Sequence, residues 1–415
     1  MPEMSVAIPG EAARHPYAEE SDALAKWLLY SQIIGATFLQ KIPVTAGKGS
    51  QLFLAMFVML GATAWGLLAR RLEFRRTPFA LYLIMLAGMV STQLISGHEY
   101  SGLSLALMLT IHLPYVFGLK SGLARPGVEL IFFRKVMMTL AVLGILQFGL
   151  QFLIGWQYAF FLDYQLPHQW IMKGYNELNT IRLGSHQFKS NGVFMLEPAM
   201  FCQFLAISII VEMVYFQRAK VILLYIAAIL TTFSGTGLVI LGLVVPFYLL
   251  KQRKFMTLVL LVLGVMLFIA IAPFIGMEGY VGRIHEFSRT TTSGYARFIS
   301  IFPAIRDFIL PHTDTMLFGM GAGAHKMVGA HMAFEVHPPS WGKILIEYGL
   351  IGLACYMPLM IKILFAPKRS AYLKAALFIQ FFFDGYVLIP TVHGVIIALL
   401  AWPEPRPPER IAQPA

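Results

Sequence analysis

Two polar stretches in an otherwise apolar chain carry the residue types that can do chemistry. The first runs Asn179-Thr-Ile-Arg182-Leu-Gly-Ser-His186-Gln-Phe-Lys189-Ser-Asn-Gly192 and continues through Val-Phe-Met-Leu into Glu197-Pro198. The second holds Arg283, His285, Glu286 and Arg289, then Ser293-Gly-Tyr-Ala-Arg297, and ends in Val336-His337-Pro338-Pro339, with Glu347 following. A guanidinium fork matches phosphate oxygens two at a time, so several arginines beside an apolar surface suit a pyrophosphate head group. The plainer alternative is that they anchor lipid phosphate. His337 precedes a rigid Pro-Pro turn, and histidine is the residue type suited to act as base or acid on a hydroxyl near neutral pH. Its alternative is a hydrogen-bonded interfacial histidine. Glu197 sits about one turn inside an apolar segment, where an ionisable group is costly and is a functional candidate. It could equally be an interface carboxylate paired with Arg182 or Lys189.

What must position these residues follows from composition. Hydrophobic residues make up 58% of the 415, charged residues only 13%, and the mean hydropathy is +0.69. A soluble domain of this length cannot hide so much apolar surface, because surface grows almost as fast as mass. A bilayer removes that difficulty. The net charge of +11 is carried by basic residues in short loops, which argues for membrane orientation rather than nucleic-acid binding. Cys202 and Cys355 lie in apolar runs and read as packing residues. Residues 1–23 are polar and contain Glu11, Glu19, Glu20 and Asp22, unlike a cleavable signal peptide.

The expected fold is an all-α polytopic membrane protein with about twelve spans. Apolar runs fall near 24–40, 51–69, 78–96, 102–119, 136–157, 192–216, 220–233, 236–250, 255–275, 341–365, 371–388 and 391–403. Within 220–250 the Ser234-Gly235-Thr236 break reads either as a tight turn or as a kink in one long helix. The clusters Arg70/Arg71/Arg75/Arg76, Lys120/Arg125/Arg134/Lys135, Arg218/Lys220, Lys251/Arg253/Lys254 and Lys368/Arg369 each follow an even-numbered span. All can therefore be cytoplasmic together, with both termini. Residues 1–23 form an N-terminal tail, 24–403 the membrane domain and 404–415 a Pro-rich tail. The connections 158–191 and 276–340, the larger lying between the ninth and tenth spans, then face outward. No repeat relates the halves, which disfavours a secondary transporter built from repeats.

Other motifs weigh less. From Tyr295 the spacing places Phe298, Phe302, Ile305 and Ile309 on one side and Arg297 near the other, as in a helix lying in the headgroup plane. Gly319-Met-Gly321-Ala-Gly323 has no preceding strand, so it suits a tight turn or close packing rather than a nucleotide. His112, Glu212, Asp384 and His393 read as interhelical hydrogen-bonding groups. Neither zinc-ligand spacing nor an Asp-x-Asp pair is present.

In these residues the chain resembles the O-antigen ligase and polymerase superfamily, Wzy-type polymerases and WaaL-type ligases of bacterial surface polysaccharides. The resemblance covers about 180–365, with weaker support at Phe38-Leu-Gln-Lys41-Ile-Pro43. Its carriers are Arg182, Asn191-Gly-Val-Phe-Met-Leu-Glu-Pro198, Phe233-Ser-Gly-Thr-Gly237, Ser293-Gly-Tyr-Ala-Arg297, Phe318-Gly-Met-Gly-Ala-Gly323 and His337 with Ile344-Leu-Ile-Glu-Tyr-Gly-Leu-Ile-Gly352. It implies a GT-C-like fold in the bacterial inner membrane. The implied activity is transfer of a glycan from an undecaprenyl-diphosphate carrier to an acceptor glycan or lipid at the periplasmic face, without cofactor or metal. Arg182 and Arg297 would bind the donor diphosphate and His337 would position or deprotonate the acceptor. Lys189, Glu197, Arg283, Arg289 and Glu347 would contact substrate. Family members often carry Asn after this histidine, whereas here Pro338 follows. Glu197-Pro198 looks more like exopolysaccharide polymerases than ligases. The expectation is thus a polymerase of lipid-linked repeat units, with a chain-length regulator as a possible partner and no nucleic acid. A ligase acting on lipid A-core, a flippase of lipid-linked oligosaccharides and a structural membrane protein are the alternatives.

Overall fold

Long apolar runs in this chain become helices, because a helix pairs its own backbone groups and leaves only side chains to meet an apolar surround. The computed structural model describes residues 22–46, 50–175, 178–181, 185–275, 282 and 288–403, and is mostly helical. The first helices are α1 (Ala23–Phe38), α2 (Leu54–Leu68), α3 (Arg76–Ser96), α4 (Gly102–His112) and α5 (Val128–Leu153). After the first long connection come α6 (Pro198–Val211), α7 (Ala219–Thr232), α8 (Thr236–Lys251) and α9 (Phe255–Ile271). The second connection contains α10 (Ser293–Phe298) and α11 (His325–His331). The chain continues with α12 (Ser340–Phe365), α13 (Ala371–Phe383) and α14 (Pro390–Ile396).

Five of these helices, with their irregular extensions, are long and apolar enough to cross a membrane: α3, α5, α6, α9 and α12. Shorter helices occupy the other expected apolar segments. Among the described residues, strands are confined to two small antiparallel pairs, a departure from a purely helical chain. In one, β1 (Pro43–Ala46) meets β2 (Ser50–Phe53), with Pro43 opposite Phe53. In the other, β3 (Leu72–Phe74) meets β4 (Phe117–Leu119), with Leu72 opposite Leu119. Both pairs lie in connections, where backbone outside a helix still needs partners.

The centre of the bundle is α6, in which every residue but Ala199 is buried. A helix apolar on all sides belongs in such a position. At the other extreme α9 buries none of its residues and shows Leu260, Leu263, Met266 and Leu267 to the surround. Leucine-rich exposure on this scale suits lipid. The break at residues 233–235 is a tight turn. Thr231 and Thr236 lie near Ser190 and Ala199 at one end, while Tyr225 and Tyr248 bond the Arg134 and Met213 carbonyls at the other. Phe233, at φ 44°, makes the reversal.

The basic loops meet at one end of the bundle. The β3–β4 pair ties the α2–α3 loop to the α4–α5 loop. Arg71 pairs with Asp22 at 2.8 Å, Leu119 N donates to Trp402 O at 2.9 Å, and Ser370 N donates to the Tyr215 hydroxyl. Arg369 and Glu129 form a pair there that is almost wholly buried, at 2.7 Å. Inside the bundle, His112 accepts from or donates to Tyr356 at 3.0 Å, and His393 does the same with Tyr115 at 2.9 Å. These two imidazoles join α4, α12 and α14 by the interhelical bonds expected of them.

One expectation is corrected. Residues 295–309 do not form a single interfacial helix: α10 ends at Phe298, and the chain resumes as a short helix, Ile301–Ala304, and a wide turn, Ile305–Ile309. Ile301, Ala304 and Ile309 face inward onto Val328 and Ile346, while Phe302 is exposed. Packing against α12 outcompetes the regular amphipathic period.

Loss of one partner from a buried ion pair leaves an uncompensated charge, at a cost of about 3–5 kcal/mol. Arg369→Ala is therefore expected to lower the unfolding midpoint in detergent sharply, and Glu129→Leu/Arg369→Met to recover most of it. A double variant no more stable than the single would refute the pairing as the cause.

Candidate functional site

Among the described residues, the end of the bundle opposite the basic loops gathers polar side chains from both long connections. The segment Asn191-Gly192-Val193 turns the chain into α6 with Gly192 and Val193 both at positive φ, 66° and 71°. A β-branched residue in that region is strained and needs outside support. Gln147 and Asn191 provide it: Val193 N donates to Asn191 Oδ1 at 3.1 Å, and Gln147 Nε2 donates to the same oxygen at 3.0 Å. Lys41, buried at the end of α1, donates to Val193 O at 2.7 Å and forms an ion pair with Asp163. Asn191 Nδ2 also reaches Asp163, at 3.1 Å.

That turn delivers Glu197 to the residue preceding α6, with Pro198 at the first helical position. Its carboxylate does not cap the helix. It accepts instead from Arg297 Nη2 at 3.1 Å, and Arg297 Nη1 lies 3.9 Å from Asp384 Oδ1. The guanidinium is thus held between carboxylates from α6 and from the end of α13, with about a fifth of its side chain exposed. Burial works against its charge, but Asp384 and Glu197 more than offset this and hold Arg297 above the ordinary arginine value. Behind it, Gln203 bonds Asp384, and the Tyr386 hydroxyl donates to Gln203 Oε1 at 2.7 Å. His337 N donates to Ala296 O at 2.9 Å, placing this residue beside Arg297. Its imidazole is 61% exposed, 3.4 Å from Glu335, and within electrostatic reach of Asp384. Tyr175 of the first connection is half-buried near Glu197, and desolvation there pushes its phenol up.

A second cluster lies where α12 is broken. Gly349 has φ 64° and ψ −169°, and the carbonyls of Ile346 and Glu347 accept from Met320 N at 2.8 Å and Gly321 N at 3.2 Å. The glycine segment must come this close: a Cβ on Gly319 would stand 2.5 Å from the Glu347 carbonyl carbon, and one on Gly349 would stand 2.4 Å from Leu317 O. The glycines therefore supply close packing, one of the two roles their pattern suggested. Beside the break, Glu347 Oε1 meets His325 Nδ1 at 2.5 Å and Lys343 Nζ at 2.8 Å, and Lys343 also reaches His325 Nδ1 at 2.7 Å. His325 is lowered from the ordinary 6.5 by burial, with Lys343 adding to the effect against the bond to Glu347.

Of the residues singled out by sequence, Arg297, Glu197 and His337 come together. Glu347 sits instead in the His325–Lys343 cluster. Lys189 is half-buried and its backbone N bonds Asn179 O, while Arg289 accepts at its carbonyl from Thr292. Arg182 and Arg283 lie outside the described residues. Sequence reading passed over Gln203, Tyr386, Lys343 and His325. Asp384, treated there as an interhelical hydrogen-bonding group, is a direct neighbour of Arg297. An acid within an apolar stretch was the available signal for Asp384; Gln203 carries none. Among the described residues, no three His, Cys, Asp or Glu side chains gather so as to hold a metal ion.

No protein-family model matches this chain, and no curated protein matches it by sequence.

Because folding lowers the pKa of His325, the folded state binds fewer protons than the unfolded chain below the ordinary value of 6.5. Stability is expected to fall as the pH drops through that region, and His325→Gln to remove that part of the fall. Unfolding midpoints in detergent at about pH 7.5 and 5.5 check this; a variant as acid-sensitive as the wild type would contradict it.

Proposed function

We propose that this chain is a bacterial inner-membrane glycosyltransferase that polymerises undecaprenyl-diphosphate-linked oligosaccharide repeat units at the periplasmic face. In this reading all twelve apolar segments span the membrane and the basic end of the bundle is cytoplasmic. The observation that carries the reading is the arginine at the opposite end, Arg297, fixed between Glu197 and Asp384 with His337 alongside.

The chemistry asks for little more. An acceptor hydroxyl attacks the anomeric carbon of the donor glycan, the bond from that carbon to the phosphate oxygen breaks, and the lipid diphosphate leaves with the electron pair. A guanidinium has five N–H donors, so Arg297 can give one to Glu197 and still offer others to a phosphate oxygen. Its carboxylate partners hold it in place, so little reorganisation accompanies the charge that develops on the leaving group. Arg182 would supply the second cation. The exposed imidazole of His337 takes the acceptor proton, and its backbone bond to Ala296 keeps it near Arg297. Both sugars are oriented by the surrounding connections, which lowers the entropic part of the barrier.

The flippase reading finds less support. A broken helix such as α12 suits a transporter when its freed carbonyls face a path. Here they are occupied by Met320, Gly321 and the amide of Gln93.

Deletion followed by a gel of surface glycan tests the assignment. Single repeat units left on the lipid are expected; long chains stranded on the carrier would replace polymerase by ligase, and unchanged glycan would refute both. Complementation with Arg297→Ala or His337→Ala is expected to fail. Arg306→Ala should restore chain length, because Arg306 pairs only locally with Asp307 on an exposed turn. Equal loss from Arg297→Ala and Arg306→Ala would mean that these arginines merely anchor lipid.

A further inference from the structure

We propose that the basic end of the bundle holds a binding site for the phosphate head group of an anionic phospholipid. The site is a cavity of about 330 Å³ between the start of α3, the end of α12 and the chain after α14. Three cations line it, Arg75, Arg76 and Lys362, and among the described residues no carboxylate does. Most basic residues of this chain fall in short loops, where orientation of the protein is sufficient reason for them. Here the adjacent Arg75 and Arg76 meet Lys362, far away in the sequence, at one concavity.

Arg75 is built into place. Its Nη1 donates to Ala401 O at 2.5 Å, and its guanidinium lies against Gly118 of β4. A Cβ at Gly118 would stand 2.1 Å from the guanidinium carbon, so only glycine leaves room for it. The nearest acid acting on Arg75 is Glu73, on β3 and outside the cavity lining. Arg76 and Thr77 begin α3, a helix of 21 residues with no side chain capping its first turn. Unsatisfied N–H groups and the helix dipole add to the positive potential there. Preorganised donors of this kind lose little freedom when an anion binds.

The floor selects the source of the phosphate. Ile363, Leu400 and Pro403 lie beneath the cations and are buried, and α3 and α12 lead away as apolar helices of membrane-spanning length. A free phosphate or nucleotide has no use for such a floor. A phospholipid places its phosphate among the cations and its acyl chains along the helices, in the manner of basic pockets between spans.

Native mass spectrometry of the full-length protein in detergent, titrated with cardiolipin, phosphatidylglycerol or phosphatidylcholine, tests the site. The wild type is expected to retain the two anionic lipids and not phosphatidylcholine. Arg76→Gln/Lys362→Gln leaves the Arg75–Ala401 bond intact and is expected to weaken retention about thirtyfold, for two cations at the strength such residues show toward anionic lipid. Gly118→Ala, which displaces Arg75 without changing charge, is expected to weaken it as well. A control, Lys251→Gln/Lys254→Gln, removes equal charge from the α8–α9 loop and should change nothing. Equal losses in the two double variants would overturn the proposal, as would equal retention of phosphatidylcholine. Displacement of cardiolipin by millimolar inorganic phosphate would assign the cavity to a soluble anion. Unchanged retention in Arg76→Gln/Lys362→Gln would also overturn it, and a gain in retention on removing residues 404–415 would identify that acidic and basic tail as the occupant instead.

Discussion

A backbone carbonyl or amide left unpaired inside an apolar bundle costs several kcal/mol, and the architecture around α12 follows from that constraint. At Gly349 the helix breaks and releases the carbonyls of Ile346 and Glu347. The glycine segment 319–321 crosses there and donates its amides to them. The crossing pins the second long connection to the bundle near the packing of Ile301 and Ile309 against Ile346, while α10 begins at its own Thr292 cap and Arg297 is directed by Glu197 and Asp384. His325 enters the same crossing and meets Glu347 and Lys343. The helical irregularity thereby places the second polar cluster beside the break.

The two ends of the bundle differ in how they handle charge. At the basic end, Arg369 is matched by one carboxylate and most other cations remain at the rim. At the opposite end Arg297 has two carboxylates, and Lys41 and Lys343 are buried with Asp163 and Glu347. A buried charge survives only with a partner and further hydrogen bonds, and these are supplied by Asn191, Gln203 and Tyr386. Networks of this sort are high in cost if left incomplete, and these bonds tie the buried charges named here to neighbouring segments. Fixed charges of this kind suit the transfer proposed above, in which positioning and charge stabilisation would carry the reaction.

Much of the fold was legible because its period and its punctuation are local. Apolar runs, Gly and Pro breaks and the spacing of Lys and Arg clusters mark the helices and bring the basic loops to one side, as the β3–β4 pair and the Asp22–Arg71 and Glu129–Arg369 pairs express. The segment 295–309 departs from its sequence period for the same reason: the period is amphipathic, but packing against Val328 and Ile346 is not a local property. At the site, Glu197 stands out as a costly group inside an apolar segment, Arg297 as a phosphate-matching guanidinium in a long polar connection, and His337 as a histidine before a rigid Pro-Pro turn. Their mutual pairing does not, because the expected partner of Glu197 came from its own connection rather than from residues a hundred positions away.

By itself, the sequence determined that the chain is helical and apolar, where its basic loops lie, and which ionisable groups stand in improbable places, since each of these depends on composition and short-range period. Tertiary structure alone decided that Arg297 lies between Glu197 and Asp384, that His337 stands beside it, and that the carbonyls at Gly349 find their donors in the glycine segment. Those pairings join residues separated by tens to hundreds of positions. They are selected by which charges and backbone groups would otherwise be buried without partners, and that is settled only when the whole bundle closes.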